Sequence, residues 1–176
     1  MADELLDLVD KNDDVIGTVW RSEAHSNRKL IHREVAIILF DTKHRVLLQQ
    51  RSLNKSILPG AWKITAAGHP NSGEDPLVAI KRELFEELGI EANPVFYKKV
   101  FSSLNIKGQS SESRITWVYY AVLDKLPKLI LHVSEVGNAL WVPIKDLQAF
   151  SLDHDYNFNS DFNRILLEIA TKLKLI

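Results

Sequence analysis

Three glutamates are placed at a spacing that suits divalent-metal binding. Glu83, Glu86 and Glu87 lie three and four residues apart, so on a helix all three side chains project from nearly the same face. Like charges at this spacing repel, and the adjacent Arg82 neutralises only one of them. Clustered carboxylates are the hard oxygen ligands that Mg²⁺ and Mn²⁺ prefer. The pattern predicts a metal-binding face, with a solvated acidic face as the ordinary alternative for three glutamates alone.

The neighbouring residues predict the helix that positions these carboxylates. It covers residues 74–88, with Pro76 in its first turn and Gly89 at its C-terminal cap. A predicted buried stripe recurs at three- and four-residue spacing and comprises Leu77, Ile80, Leu84 and Leu88. The stripe lies opposite the glutamates, so packing against a core would fix where the carboxylates point.

Apolar runs between turn-forming residues predict a mixture of strands and helices. Strands are expected at residues 5–9, 15–21, 35–40, 45–50, 63–67, 95–103, 116–123 and 139–142. The strand at 45–50 is expected to pair with the strand at 35–40, and further helices are expected at 144–150 and 161–173. This mixture predicts one α/β or α+β domain over residues 1–176, with the hairpin at about 5–21 as an extension of its core.

Composition excludes several classes of protein. The chain has 176 residues, 45% of them hydrophobic, and no cysteine, which excludes disulfides, zinc–thiolate sites and a cysteine nucleophile. A net charge of −1 suggests neither nucleic acid nor a membrane as a partner. The acidic N-terminus lacks the basic start of a signal peptide, so a cytoplasmic protein is expected. Residues 21–63 carry nine basic and three acidic residues, which would suit a polyanionic substrate.

The segment 68–90 resembles the Nudix box, Gly-x5-Glu-x7-Arg-Glu-U-x-Glu-Glu-x-Gly-U, in which U is a bulky aliphatic residue. All nine specified positions match, namely Gly68, Glu74, Arg82, Glu83, Leu84, Glu86, Glu87, Gly89 and Ile90. The resemblance implies a Nudix-type α/β/α sandwich with a mixed sheet and a loop–helix–loop catalytic element. It also implies Mg²⁺ or Mn²⁺ as cofactor and hydrolysis of a diphosphate linkage.

The same resemblance implies a role for each polar residue of the box. Metal ligands would be Glu83 and Glu87, with Glu86 as a further ligand and a contact from the Gly68 carbonyl. Glu83 is also the candidate base for activating water. Arg82 and Glu74 would pair and orient the carboxylates. The metal would neutralise phosphate oxygens and activate a bound water for attack at phosphorus.

A second resemblance points to the branch that contains the type I isopentenyl diphosphate isomerases. It rests on Leu8-Val-Asp-Lys-Asn-Asp13, on Leu47-Leu-Gln-Gln-Arg51 with Lys55, and on three histidines, His25, His32 and His69. In those isomerases, histidines so placed bind a metal together with two glutamates of a later strand. For this chain three roles stay open for the histidines: metal ligation, phosphate binding or hydrogen bonding within the fold. Arg51 and Lys55 are candidate phosphate contacts.

Departures from the isomerase pattern favour hydrolysis. The position of the isomerase cysteine is Ala67, and the expected position of its catalytic carboxylate is Ile115. Glu112 is nearby, but its parity along the strand is expected to point it to the other face. Without an acid–base pair, no side chain is available to donate and accept the protons that isomerisation requires. We therefore predict a hydrolase acting on a small-molecule diphosphate, such as a nucleoside diphosphate or its derivative.

Two alternatives to hydrolysis remain at this stage. One is an isopentenyl diphosphate isomerase, and the other is a non-catalytic sensor that binds a nucleotide. The intact set of mutually repelling carboxylates argues against the sensor, because binding alone does not require it. Many relatives in the family are dimers, so the resemblance leaves a homodimer open, although no residue pattern marks an interface.

Overall fold

The computed structural model describes residues 3–106, 108, 110–157 and 160–176. The strands of this part of the chain are β1 (Leu5–Val9), β2 (Val15–Trp20), β3 (Ile31–Asp41), β4 (Arg45–Arg51), β5 (Trp62–Lys63), β6 (Ala66–Gly68), β7 (Val95–Ile106), β8 (Ser110–Leu123) and β9 (Val136–Pro143). The helices are α1 (Arg21–Ala24), α2 (Pro76–Leu88), α3 (Leu147–Asp153), which follows a 3₁₀ turn at Ile144–Asp146, and α4 (Asp161–Lys172). None of the described helices is long and apolar enough to cross a bilayer.

Strand β3 is the centre of one mixed sheet. It runs parallel to β8 along its whole length, with Ile31 opposite Ser113 and Asp41 opposite Leu123. It runs antiparallel to β1 and β6. Its residues from Val35 to Phe40 are completely buried, as expected of a β-branched apolar strand covered on both faces.

Helices cover both faces of this sheet, which makes the predicted α/β/α sandwich. On one face Val35, Ile37 and Leu39 pack against the apolar side of α2. On the other face Ile38 and Phe40 pack with residues of α4. Alternate side chains of one strand therefore anchor the helices of opposite layers.

Helix α2 ends at the predicted glycine cap and begins at Pro76, two residues after the predicted start. The Asp75 side chain accepts hydrogen bonds from the backbone N–H groups of Leu77 and Val78, 2.8 and 3.3 Å away, which caps the first turn. Gly89 takes a left-handed conformation with φ 67° at the C-terminus. Ile80, Leu84 and Leu88 of the predicted stripe are fully buried. The prediction for Leu77 is wrong, since this side chain in the first turn is 38% exposed.

The predicted pairing of the fourth strand is wrong over most of its length. β4 pairs with β3 only at Phe40–Val46 and pairs with β9 from Arg45 to Arg51. Beyond the turn the Thr65 hydroxyl bridges β3 and β4, accepting from Leu39 N and donating to the Leu47 carbonyl. The Thr65 side chain thus takes the place of backbone hydrogen bonds between β3 and β4. The strand predicted at 63–67 is divided at this residue into β5 and β6.

The N-terminal hairpin is joined to the loop that precedes α2. β1 and β2 are antiparallel, as predicted, and β1 continues the sheet by pairing with β3. The buried Asp7 carboxylate accepts from the Ser72 hydroxyl at 2.9 Å and from the Gly73 N–H at 3.0 Å. Arg33 donates to the same carboxylate. The hairpin therefore helps to hold the loop from which the glutamate helix starts.

Candidate active site

The close approach of β6 to α2 sets the position of Glu83. A Cβ atom added to Gly68 would lie 2.1 Å from Cδ of Glu83 and 2.4 Å from each of its carboxylate oxygens. Such distances are impossible for any side chain, so only glycine lets the carboxylate lie against the loop backbone. Gly68 and Glu83, both predicted to contribute to a metal site, are therefore brought into contact.

Arg82 connects the box carboxylates. Its guanidinium donates to Glu74 at 2.9 and 3.0 Å, to Glu83 at 2.8 Å and to Glu86 at 3.2 Å. It also donates to the backbone carbonyl of His69 at 3.1 Å. The hydrogen bond to Arg82 lowers the pKa of Glu74. These contacts match the orienting role predicted for Arg82 and Glu74, and they leave Arg82 committed to carboxylates rather than to a substrate phosphate.

Glu83 and Glu87 are neighbouring acids with little exposure to water, since 15% and 8% of their side chains are accessible. Burial raises the pKa of Glu83 to about 7, with further increases from the charges of Glu87 and Glu86 and an opposing effect of Arg82. Glu87 is 6% exposed; Gln49 donates to its Oε2 at 2.6 Å, and Lys63 lies 3.6 Å from its Oε1. Glu86 is the exposed member of the set, with 56% of its side chain accessible.

This donor set fits a hard divalent cation. Two carboxylates are held out of water within the same cluster, which is unfavourable unless a positive charge is present. Oxygen donors from Glu83, Glu86, Glu87 and the Gly68 backbone are the ligand types that Mg²⁺ and Mn²⁺ take. The raised pKa of Glu83 means that its charged form is unfavourable in this environment. A bound cation would stabilise that charged form.

A second cluster is formed by the three histidines. One ring nitrogen from each of His25, His32 and His69 lies within 4.8 Å of the other two. The Nε2 atoms of His25 and His69 are 3.2 Å apart. His32 is completely buried and His69 is 7% exposed. The residue that follows α1, a residue of β3 and the residue that follows β6 thus converge on one point.

The chemistry of this cluster favours metal ligation among the three roles left open. Within the described part of the chain, both ring nitrogens of His32 and Nδ1 of His69 are buried without a hydrogen-bond partner. Burial lowers the pKa of His25 to about 4 and that of His32 to about 3, and it lowers the pKa of His69 strongly. Neutral imidazoles cannot attract phosphate as cations. Their unpartnered nitrogens fit a divalent transition metal.

Strand β8 adds a carboxylate to the histidines, which corrects two sequence predictions. Oε2 of Glu112 lies 3.1 Å from His25 Nε2 and 3.9 Å from His32 Nε2, so Glu112 does not point to the other face as predicted. The next residue on the same side is Arg114, which lines the cavity, whereas Ile115 does not. The position expected for a second carboxylate is therefore residue 114 rather than 115, and it holds an arginine.

Both clusters open into one cavity of about 600 Å³. They share the segment Gly68–His69 as a wall, since Gly68 contacts Glu83 and the His69 ring belongs to the histidine cluster. Ala67 also lines this cavity, and its methyl group can neither donate nor accept a proton. Apolar side chains make the opposite wall, and they include Ile57, Leu58, Trp62, Tyr156 and Phe162.

The two predicted phosphate contacts also line the cavity, but both make internal contacts. Nε of Arg51 donates to the Ile57 carbonyl at 2.8 Å, and burial lowers its pKa. Lys55 is paired with Glu135. Lys63, beside Glu87, is a third cation on this wall. All three cations line the same cavity as the box glutamates.

Comparison with known families agrees with this geometry. Residues 30–162 match the family model of the NUDIX domain. The chain belongs to the Nudix family. The match includes β3, the complete box on α2 and most of the sheet that carries them.

Relatives within the Nudix family are named as isomerases. The isopentenyl-diphosphate Delta-isomerase of Serratia proteamaculans is 34% identical over 168 residues, which cover 96% of this chain and 92% of the relative. The enzyme of the same name from Streptomyces coelicolor is 46% identical over 86 residues, 49% of this chain. That second match spans only 44% of the relative's length. The crystal structure of DR0079 from Deinococcus radiodurans is similar with a TM-score of 0.65 and 26% identity, covering 85% of this chain and 90% of that one.

Sequence reasoning missed Gln49, Lys63 and Arg114 and wrongly set Glu112 aside. Gln49 and Lys63 hold Glu87, and Glu112 and Arg114 lie at the histidine end. For Glu112 and Arg114 a usable signal existed, because alternate residues of one strand share a side and Glu112, Arg114 and Thr116 form one polar row. Gln49 carried no such signal, since its partner lies 38 residues away on another element.

Proposed function

We propose that this protein is a divalent-metal-dependent hydrolase that cleaves the diphosphate linkage of a small molecule. The observation that carries the proposal is the contact of Glu83 with Gly68 and the burial of the neighbouring Glu87, in a cavity that Arg51, Lys55 and Lys63 also line. A nucleoside diphosphate or its derivative is the proposed substrate class, since the cavity combines acidic and basic groups with an apolar wall that includes Trp62 and Tyr156.

The reaction follows from what these residues can hold. Glu83, Glu86 and Glu87 would hold Mg²⁺ or Mn²⁺, which would neutralise phosphate oxygens and acidify bound water. Glu83 is the proposed base that accepts a proton from the attacking water. A bond forms between the water oxygen and phosphorus, and the bond from that phosphorus to the bridging oxygen breaks. The leaving phosphate keeps the electron pair, and Arg51, Lys55 or Lys63 offsets its charge.

The test is turnover of a panel of diphosphates with Mg²⁺ or Mn²⁺, with products identified by mass. Glu83→Gln and Glu87→Gln keep the side-chain size but remove a ligand charge, so we expect kcat to fall by about 10²- to 10⁴-fold. Glu91→Gln, an exposed site just beyond α2, is the matched control and should keep wild-type rates. Full activity in both box variants would overturn the site assignment.

The second candidate, isopentenyl diphosphate isomerisation, is favoured by one observation. Glu112 faces the histidines within the cavity, so one acid–base group is present there, and the Serratia proteamaculans relative carries the isomerase name. Against it, Ala67 cannot transfer a proton and Arg114 is a permanent cation. Incubation with isopentenyl diphosphate in D₂O separates the two: a deuterated allylic product establishes isomerisation, and its absence alongside released phosphate supports hydrolysis.

A further inference from the structure

We propose that Arg114 is a specificity-determining residue that binds a phosphate oxygen of the substrate at the histidine end of the cavity. The inference rests on the proposed hydrolysis of a diphosphate. It assigns the substrate a second anchoring point, separate from the glutamates of α2, at a residue that belongs neither to the Nudix box nor to the histidine cluster.

Two carboxylates hold the Arg114 guanidinium in place. Its Nη1 lies 3.0 Å from Oε1 of Glu112 and 3.2 Å from Oε1 of Glu34. Glu34 is itself fixed, because the Thr116 hydroxyl donates to its Oε2 at 2.7 Å. A guanidinium oriented in this way loses little conformational freedom when it binds a phosphate, and its planar shape matches two phosphate oxygens.

The local formal charge would change sign if the histidines and Glu112 held a divalent cation. Without one, the carboxylates of Glu34 and Glu112 outnumber the Arg114 guanidinium by one negative charge. The other cation at this end, Arg21, is balanced by Glu4 at 2.8 Å. With a dication bound the sum becomes one positive charge, and it would fall to zero if residue 114 were neutral. Arg114 therefore decides whether the loaded centre attracts an anion.

A purely structural role for Arg114 explains these contacts less well. An arginine that served only to neutralise Glu34 and Glu112 would be expected to have its buried donors satisfied. Nε of Arg114 is buried and has no hydrogen-bond partner within the described residues. Part of the side chain remains accessible, 15% of its area, and it lines the cavity. Arg114 therefore lines the cavity while one of its buried donors, Nε, has no partner among the described residues.

Glu83 and Arg114 line the same cavity. Gly68, which contacts Glu83, and His69, which belongs to the histidine cluster, are consecutive residues, so their Cα atoms are about 3.8 Å apart. We expect a diphosphate to lie along this short wall, with one phosphate over α2 and the other at Arg114 of β8. Substrates with a single phosphate would lose the Arg114 contact.

Binding of methylenediphosphonate, a diphosphate analogue whose bridge cannot be hydrolysed, tests the inference by calorimetry with Mg²⁺ and Zn²⁺. Loss of one charged hydrogen-bonding group in Arg114→Met should weaken binding by about 10- to 100-fold. Arg114→Lys should recover part of the loss, and single phosphate should bind both variants and the wild type alike. Arg45→Met is the matched control, because Arg45 pairs with Asp41 at 2.6 Å and lies outside the cavity.

A folded Arg114→Met variant that binds the diphosphonate as tightly as the wild type would overturn the inference. If that variant does not fold, the wild-type protein still decides the question. The Nε–H resonance of Arg114, assigned by its loss in Arg114→Lys, should shift in NMR spectra when diphosphonate is added, and an unmoved resonance at saturation would refute the contact. Arg114-dependent binding without turnover of any diphosphate would instead contradict only the proposed hydrolysis.

Discussion

Gly68 is the residue whose identity the site constrains most tightly. Any Cβ at this position would overlap the Glu83 carboxylate, so even alanine must displace a proposed metal ligand. A displacement of about 1 Å at a reacting centre can cost about 10²-fold in rate. The constraint acts on the position of one carboxylate and leaves the apolar face of α2 untouched.

Gly68→Ala should therefore lower kcat/KM by about 10²-fold and weaken Mn²⁺ binding, measured by titration of its electron paramagnetic resonance signal. The matched control is Gly17→Ala, where the nearest atom to the added Cβ would be Leu8 Cδ2 at 3.9 Å. The control should keep both activity and metal binding. Equal behaviour of the two variants would contradict the proposed contact with Glu83.

The buried histidines predict how the stability of the metal-free protein depends on pH. Their pKa values are lower in the folded protein, about 4 for His25 and about 3 for His32, than in an unfolded chain, about 6.5. As the pH falls through 6.5, the unfolded state takes up protons that the folded state refuses. Stability is therefore complete above this range and decreases below it, by about 1.4 kcal/mol per pH unit for each such histidine.

Urea unfolding between pH 7 and pH 4 in the presence of a chelator measures this effect. His32→Gln removes one titrating group, so its free energy of unfolding should fall less steeply with acid than that of the wild type. His132→Gln is the control, since His132 lies in the segment after β8 and outside the histidine cluster. Parallel curves for wild type and His32→Gln would show that His32 does not titrate as expected.

Helix α2 uses its two faces for different purposes. The apolar face anchors the helix to the sheet through residues such as Leu84, which is 0% exposed. The adjacent Phe85 is 57% exposed. Because the carboxylates are carried on the same rigid backbone, the packing of the apolar face sets how precisely they are placed.

Leu84→Ala should lower the free energy of unfolding by about 2–5 kcal/mol, since it leaves a cavity between helix and sheet. Phe85→Ala, one residue along the same helix, should cost less than about 1 kcal/mol because its ring is already largely in water. Denaturant unfolding of the two variants gives both values. A similar cost for both would mean that the helix does not pack on the sheet as described.

Across the whole molecule, the N-terminal hairpin is linked to the site through Asp7. This carboxylate accepts hydrogen bonds from Ser72 and Gly73 in the loop before α2 and from Arg33 in β3. The buried Asp13 of the same hairpin accepts from Arg33 at 2.7 Å and from the Trp117 ring nitrogen at 2.9 Å. The hairpin thus ties together the loop before α2, β3 and β8.

Asp7→Ala should cost about 1–3 kcal/mol of stability, because it removes the charged acceptor of hydrogen bonds from Ser72, Gly73 and Arg33, and it should also lower turnover by loosening the loop before α2. Asp7→Asn keeps an accepting oxygen for Ser72 and Gly73, so it should retain more of both. Urea unfolding and kcat of the two variants check this. Unchanged turnover in a destabilised Asp7→Ala protein would show that the hairpin stabilises the fold without positioning the loop.

The sequence by itself determined the glutamate helix, its C-terminal cap and the grouping of its carboxylates on one face. These are properties of neighbours three and four residues apart, and the helical repeat converts such spacing directly into a shared face. The same locality explains the error at Leu77, because periodicity does not tell how far the core extends along a helix. The sequence also did not determine which strand pairs with β4, because both β3 and β9 have residues suited to a paired strand.

Only the tertiary structure decided the composition of the histidine end. His25, His32, His69 and Glu112 come from four separated segments, and their meeting depends on the parallel register of β3 and β8, which places His32 beside Arg114. A shift of one residue in that register would turn Glu112 and Arg114 away and bring Ile115 inward. Register is fixed by long-range packing of both sheet faces, so no local pattern in the chain specifies it.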